Sequence, residues 1–192
     1  METDRLFQIL TSIRPLSEDF KKALEKELRY VTYPKGHFLI QALSIAHHSY
    51  FLEKGFAVAY HYYENRRIVT AFWQPGEIIV SPKSFFEQSP STENIQLTID
   101  GDLSCLSYLS ATKLFETFQS ANTLAQVIIS RYHAKCEERI IDLHRLDAWE
   151  RYLKLVKRYP RIELYTSQDL IASYLNITPQ SLSRLKNKRN KS

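Results

Sequence analysis

Thr166-Ser167-Gln168-Asp169-Leu170-Ile171-Ala172-Ser173-Tyr174-Leu175-Asn176-Ile177-Thr178-Pro179-Gln180-Ser181-Leu182-Ser183-Arg184-Leu185-Lys186 reads as two short helices joined by a tight turn. Thr166 is in place to cap the first helix, and Asp169 three residues later favours its positive end. Leu170, Ile171, Tyr174 and Leu175 then recur at helical spacing. Asn176 falls where the chain must leave that helix, and asparagine tolerates the left-handed backbone such a stop requires. Thr178 caps a second helix, with Pro179 at its first position, where a missing N–H costs nothing. Ile177, Leu182 and Leu185 supply the buried side of this pair, leaving Gln180, Ser181, Arg184 and Lys188 for the outer face.

Two helices in this arrangement can place the second in the DNA major groove. Gln180 can pair with adenine and Arg184 with guanine, each through two hydrogen bonds, and their spacing of four puts them on one face. Ser181 and Ser183 can reach bases or phosphates. Thr166, Ser167 and Gln168 open the preceding helix, whose N-terminus suits a phosphate. Lys186, Lys188, Arg189 and Lys191 form a basic tail fit to follow the backbone. The charge distribution agrees. Residues 148–192 hold ten Lys or Arg against three Asp or Glu, a net of +7, whereas the whole chain carries +5. Basic charge gathered in one end module is the electrostatic footprint of nucleic-acid binding.

Upstream of this module the pattern changes twice. Residues 4–30 read as helical, with Pro15-Leu16-Ser17-Glu18-Asp19-Phe20 opening a helix that runs through Leu24 and Leu28. From Tyr30 to Tyr108 short β-rich runs alternate with turns. The runs are Tyr30–Tyr33, Phe38–Ile40, Tyr50–Leu52, Phe56–Tyr63, Ile68–Trp73, Ile95–Ile99 and Leu103–Tyr108. Many short strands at near-regular spacing predict a β-roll or jelly roll. After Ser110 the pattern is helical again, with a short helix over Ala111–Phe118 and a long one from Thr123 to about Leu146. The long helix carries an apolar stripe of Leu124, Val127, Ile128, Tyr132, Cys136, Ile140 and Leu143, suited to pairing with a second copy. Arg131, Lys135, Glu138 and Arg139 interrupt that stripe, so packing on the chain's own roll is the competing reading.

Composition bounds the rest. At 192 residues and 44% hydrophobic, the chain can build a real core in one large or two small domains. No apolar stretch approaches the length of a membrane span, and the polar start Met1-Glu2-Thr3-Asp4-Arg5 has no signal-peptide pattern. Two cysteines, Cys105 and Cys136, fit a reducing cytoplasm and match no zinc or iron–sulfur spacing. His47-His48 is an adjacent pair that rarely faces one ion, and His61 with Glu64 lacks further ligands. His133 and His144 fall on the long helix. No metal site, cofactor or enzyme is therefore expected. No Gly-rich phosphate loop, Gly-X-Ser-X-Gly elbow or paired zinc motif occurs. Cys136 sits mid-helix in the apolar stripe, a packing position rather than a nucleophile's. The aromatics Phe56, Tyr60, Tyr62, Phe72 and Trp73 read as core, with lining of a ligand pocket as the second reading.

Helix, β-roll, long helix and helix-turn-helix, in that order, resemble the Crp/Fnr family of bacterial transcription regulators. The resemblance spans nearly the whole chain. Its most specific parts are the Pro75-Gly76-Glu77 turn after an aromatic strand and the segment Ile171–Arg184. Pro90-Ser91-Thr92-Glu93-Asn94-Ile95-Gln96 is similar to the Bacteroidetes-type branch of that family. The resemblance implies an α+β fold with an N-terminal cyclic-nucleotide-binding-like β-roll over residues 1–120. It implies a dimerisation helix over 121–147 and a helix-turn-helix domain over 148–192. It further implies a cytoplasmic homodimer on pseudo-palindromic double-stranded DNA, a small-molecule effector in the roll and RNA polymerase as a further partner. Gln180 and Arg184 fall where family members read bases, with Ser183 near them. Gly76, Glu77, Ser91 and Thr92 fall where the effector is held.

Two departures stand out. Cyclic-nucleotide-binding members follow the Gly-Glu turn with an Arg-Ser or Arg-Thr pair whose arginine neutralises the cyclic phosphate. Residues 68–112 here contain no arginine, and Lys83 is their only basic residue. Burying a phosphate without a paired cation is costly, so the effector is expected not to be a cyclic nucleotide. Family members also commonly add a β-hairpin wing around the recognition helix. Here a wing must lie in Tyr159–Tyr165 or be absent, with the basic tail taking over phosphate contacts. The alternative to a DNA-binding regulator is a ligand-binding or protein-interaction module whose helical end docks on a protein. A cupin-like metalloenzyme is weaker still, because the His-X-His ligand pair is missing.

Overall fold

Eight antiparallel strands form two four-stranded sheets in the computed structural model, which describes residues 4–189. They are β1 (Arg29–Tyr33), β2 (Phe38–Ile40), β3 (His48–Lys54), β4 (Ala57–Tyr63), β5 (Arg66–Trp73), β6 (Ile78–Ile79), β7 (Asn94–Leu97) and β8 (Gly101–Ser107). The first sheet runs β1-β8-β3-β6 and the second β2-β7-β4-β5. Two helices precede the strands, α1 (Asp4–Ile13) and α2 (Glu18–Glu27), and α3 (Pro82–Glu87) is inserted between β6 and β7. The rest is helical: α4 (Tyr108–Thr117), α5 (Gln119–Arg145), α6 (Ala148–Arg158), α7 (Ile162–Tyr165), α8 (Gln168–Tyr174) and α9 (Pro179–Arg189).

Local chemistry explains most boundaries. Ser17 caps α2 by accepting from the Phe20 N–H at 3.2 Å. Asp147 and Glu150 cap α6 reciprocally, each side chain accepting the other's backbone N–H at 2.8 Å. The Tyr159–Tyr165 stretch, where a wing was one expectation, contains the short helix α7 instead. Helix α5 starts at Gln119 rather than Thr123, with Phe118 alone separating it from α4.

Strand alternation sorts the core into three layers. Along β4 and β5, Ala57, Ala59, Ala71 and Trp73 point into the roll, beside Leu52, Ile79, Ile95 and Leu103. The alternate residues Val58, Tyr60, Val69 and Phe72 point outward, joined by Phe56, and are nevertheless buried. Their cover is the C-terminal helices, through Leu155, Tyr159, Ile162, Ile171 and Leu175. This two-sided burial explains why β4 reads as a continuous aromatic and aliphatic run. The third layer sits on the outer face of the first sheet, where Phe51 and Ile78 meet α1, α2, α4 and α5. Of the aromatics considered as pocket lining, Phe56, Tyr60 and Phe72 belong to the outward core, Trp73 to the roll interior, and Tyr62 is exposed.

The apolar stripe expected on α5 divides. Leu124, Ile128 and Tyr132 pack on the chain's own core, as the competing reading anticipated, while Ile140 is 57% exposed. No helix among the described residues is long and apolar enough to cross a membrane.

Candidate nucleic-acid interface and the Gly76 turn

Helix α8 begins one residue later than the sequence pattern implied. Ser167, not Thr166, is its cap, accepting from the Leu170 N–H at 3.4 Å. The Thr166 hydroxyl is buried without a hydrogen-bond partner. The end of α8 follows expectation. Asn176 takes φ +55°, and the N–H groups of Asn176 and Ile177 close onto the carbonyls of Ser173 and Ala172 at 3.0 Å each. Thr178 then caps α9, its hydroxyl accepting from the Ser181 N–H at 3.1 Å. Pro179 is the first residue of that helix.

This turn fixes which side chains remain free. Leu182 is fully buried, while Gln180, Ser183 and Arg184 lie exposed on α9. Ser181 is half-buried, its hydroxyl 3.0 Å from that of Thr178. Ser167 and Gln168 are exposed at the start of α8. Lys186 does not extend into solvent. Its ammonium donates to Glu163 at 2.6 Å, and the Tyr152 hydroxyl donates to the same carboxylate oxygen at 2.7 Å. Burial pushes the Glu163 carboxyl up, but these two hydrogen bonds outweigh it and hold the group below its ordinary range. The side chains of Lys188 and Arg189, and Lys191 altogether, lie outside the described residues.

The module is tied to the roll by polar contacts that the sequence pattern did not reveal. The Ser173 hydroxyl accepts from the Val69 N–H at 3.0 Å and donates to the Arg67 carbonyl at 2.6 Å. Arg139 of α5 donates to the carbonyls of Val69, at 2.8 Å, and Tyr174, at 3.0 Å. Tyr159 donates to the Phe72 carbonyl at 2.8 Å, and within the module Arg151 donates to the Leu175 carbonyl at 3.0 Å. One signal was available for Arg139. Arg131, Lys135 and Arg139 recur every four residues, a basic ridge along one face of α5.

The Pro75-Gly76-Glu77 turn is built for rigidity. Gly76 takes φ +94°, a backbone conformation that favours glycine, and the Arg5 guanidinium lies over it where a Cβ would stand. Glu77 accepts from the Gln74 N–H at 2.9 Å and from the Lys135 ammonium at 2.5 Å. Its carboxylate thereby joins the turn to α5. Gly76 and Glu77 line a cavity of about 260 Å³, together with Trp73, Arg131, Tyr132 and Lys135. Ser91 and Thr92 do not line it. Ser91 is 2% exposed and spends its hydroxyl on its own loop, donating to the Glu93 carbonyl at 2.9 Å. Thr92 is exposed, its carbonyl 2.7 Å from His61 Nδ1. Next to them Glu93 is buried near Ser81, His61 and Tyr132, and burial pushes its carboxyl up. A buried carboxyl in this loop opposes a second anion there. Among the described residues no three His, Cys, Asp or Glu side chains gather as metal ligands.

No family model matches the sequence, and no curated protein matches it. Solved structures do match the fold. FixK2 from Bradyrhizobium japonicum is 17% identical with a TM-score of 0.72, the match covering 85% of this chain and 85% of that one. The c-di-GMP responsive global regulator CLP of Xanthomonas campestris is 15% identical with a TM-score of 0.70, over 91% and 92% of the two chains. A Eubacterium rectale protein assigned to the Crp/Fnr family of transcriptional regulators is 13% identical with a TM-score of 0.69, over 88% and 82%. At these identities the likeness establishes a shared fold: antiparallel sheets with flanking helices, over most of each chain.

Proposed function

We propose that this chain is a DNA-binding transcription regulator of the Crp/Fnr type, from its Bacteroidetes-type branch, and not an enzyme. The observation that carries the reading is the division of labour between α8 and α9. Helix α8 commits Leu170, Ile171 and Ala172 to the core, while α9 keeps Gln180, Ser183 and Arg184 exposed on one surface. A helix held rigidly by its neighbour, with amide, hydroxyl and guanidinium groups facing out, is equipped to read base edges. Ser167, Gln168, Thr178 and Ser181 sit at the two helix N-termini, where phosphates are held. The fold shared with known regulators supports the same conclusion.

In this reading residues 1–120 are the sensor, 121–147 the dimerisation helix and 148–192 the DNA-binding domain of a cytoplasmic homodimer. Val127, Ser130, Ala134, Glu137, Ile141 and His144 recur at alternating spacings of three and four along α5. All but the half-buried Val127 are exposed, and Ile141 is 50% accessible. That is the period of a two-helix seam, and a second copy is its occupant. The effector is a small molecule other than a cyclic nucleotide. Residues 68–112, after the Arg66-Arg67 turn, hold no arginine to neutralise a cyclic phosphate, and Glu93 is buried beside Ser91. RNA polymerase is the further partner such a regulator contacts.

The test is recovery of genomic DNA fragments by the purified protein at near-physiological salt, followed by sequencing. A two-fold symmetric motif, with half-sites about one helical turn apart, is expected. Absence of any salt-dependent DNA affinity would overturn the reading and favour a protein-docking module.

A further inference from the structure

Ile78 and Ile128 each line two cavities. The inner one, about 120 Å³, lies between the outer face of the first sheet and helices α1, α2, α4 and α5. Leu10, Leu24, Phe51, Leu106, Leu114 and Leu124 form most of its wall, and only Ser49, Tyr50 and Ser104 of its lining residues carry a polar side-chain group. The outer one is the 260 Å³ cavity beside the Gly76 turn, where Arg131, Lys135, Glu77, Trp73 and Tyr132 meet Ile9 and Ile13 of α1.

Protein interiors leave few gaps larger than a water molecule, and this one opens toward solvent with almost wholly apolar walls, where water finds few hydrogen-bond partners. Walls of leucine and phenylalanine suit a hydrocarbon group. The outer cavity supplies the opposite chemistry. Arg131 and Lys135 are one helical turn apart, so both heads share a face of α5. Arg131 makes no ion pair with any described residue. Lys135 gives one hydrogen bond to Glu77 and keeps further ammonium protons to donate. Glu77 offsets one of these charges, and the Arg5 guanidinium beside Gly76, donating to the Pro75 carbonyl at 2.8 Å, adds another, so the mouth is net positive. A net positive mouth suits an anionic head group, and a carboxylate can accept from both Arg131 and Lys135.

We propose that the two cavities form one binding site for a small amphipathic monocarboxylate. Its aliphatic chain passes between Ile78 and Ile128 into the inner chamber, and its carboxylate lies against Arg131 and Lys135. The site stands on the cavities alone and holds whether or not the chain binds DNA.

The probe is octanoate. Trp73 lines the outer cavity and the chain has only two tryptophans, so Trp149→Phe leaves Trp73 as sole reporter. Octanoate is expected to change Trp73 emission saturably, and butanoate to bind much more weakly because it cannot fill the inner chamber. Octylamine, with the opposite charge, is expected not to bind. Arg131→Gln, a change at an exposed side chain with no ion pair to a described residue, should weaken octanoate by about tenfold, the worth of one charge-assisted hydrogen bond. Ala125→Phe, which fills the inner chamber, should abolish the response, with folding of each variant checked by circular dichroism. The comparison of probes needs no substitution and stands if that variant fails to fold. No saturable response to octanoate, equal binding of butanoate or octylamine, or indifference to Arg131→Gln would each overturn the proposal.

Discussion

Arg139 donates a hydrogen bond to the backbone carbonyl of Tyr174 and also lays its guanidinium over the ring of the same residue, 4.3 Å from the centroid. A second donation reaches the Val69 carbonyl, so one side chain of α5 holds both α8 and the bulged strand β5. The guanidinium is mostly desolvated, and burial pulls its pKa down from the usual arginine value. Replacing it leaves two carbonyls short of a donor. Arg139→Met is expected to lower stability by about 2–4 kcal/mol. Denaturant unfolding checks this, and a change under about 0.5 kcal/mol, the size of an ordinary surface substitution, would show that the contact contributes little.

The exposed face of α9 makes a sharper prediction. Arg184→Ala should cost about 1–3 kcal/mol of DNA affinity and relax preference at one base pair. Lys188→Ala should weaken all sequences alike and reduce the salt slope. Lys186→Ala should act mainly on stability, because its ammonium is engaged by Glu163. Equal losses on every sequence from Arg184→Ala would assign that residue to phosphate.

Glu93 gives the pH dependence. Burial raises its carboxyl above the ordinary glutamate value of 4.5, against smaller opposing effects from His61 and Ser81. A raised folded-state pKa means that the neutral acid is the form the fold prefers. The associated stability is fully present below the ordinary glutamate value and is lost as pH rises through the folded one. Glu93→Gln should therefore raise the melting temperature at pH 7 and flatten its fall as pH rises above the ordinary glutamate value. A lower melting temperature at pH 7 would mean that the ionised carboxylate has a partner the fold needs.

Asn176 occupies left-handed backbone at φ +55°. Glycine there should be tolerated, while Asn176→Val should cost about 1–2 kcal/mol through the Cβ clash of that conformation. Thermal unfolding of both variants checks it, and equal stability would show that the turn relaxes.

The same turn shows how far the sequence reaches on its own. Asn176, Thr178 and Pro179 act through backbone groups only a few residues away, so the end of one helix and the start of the next were legible from residue types. Strand spacing and the helical stretches were legible for the same reason, since periodicity is a local property. The cap of α8 was misplaced by one residue, because Thr166 and Ser167 are chemically equivalent candidates and only the backbone path selects between them.

What the tertiary structure alone decided lies in contacts between distant residues. Ser173 reaches Val69, 104 positions away, and Arg139 reaches the same residue across 70. No periodicity encodes such pairs. Glu77 was expected beside the effector, and only the structure shows that its carboxylate also braces the turn against Lys135, 58 positions on. Tyr60 and Trp73 read alike as core, yet one faces the C-terminal helices and the other the roll interior. A strand's alternation says that its two faces differ but not what will cover each. That depends on where the rest of the chain comes to lie.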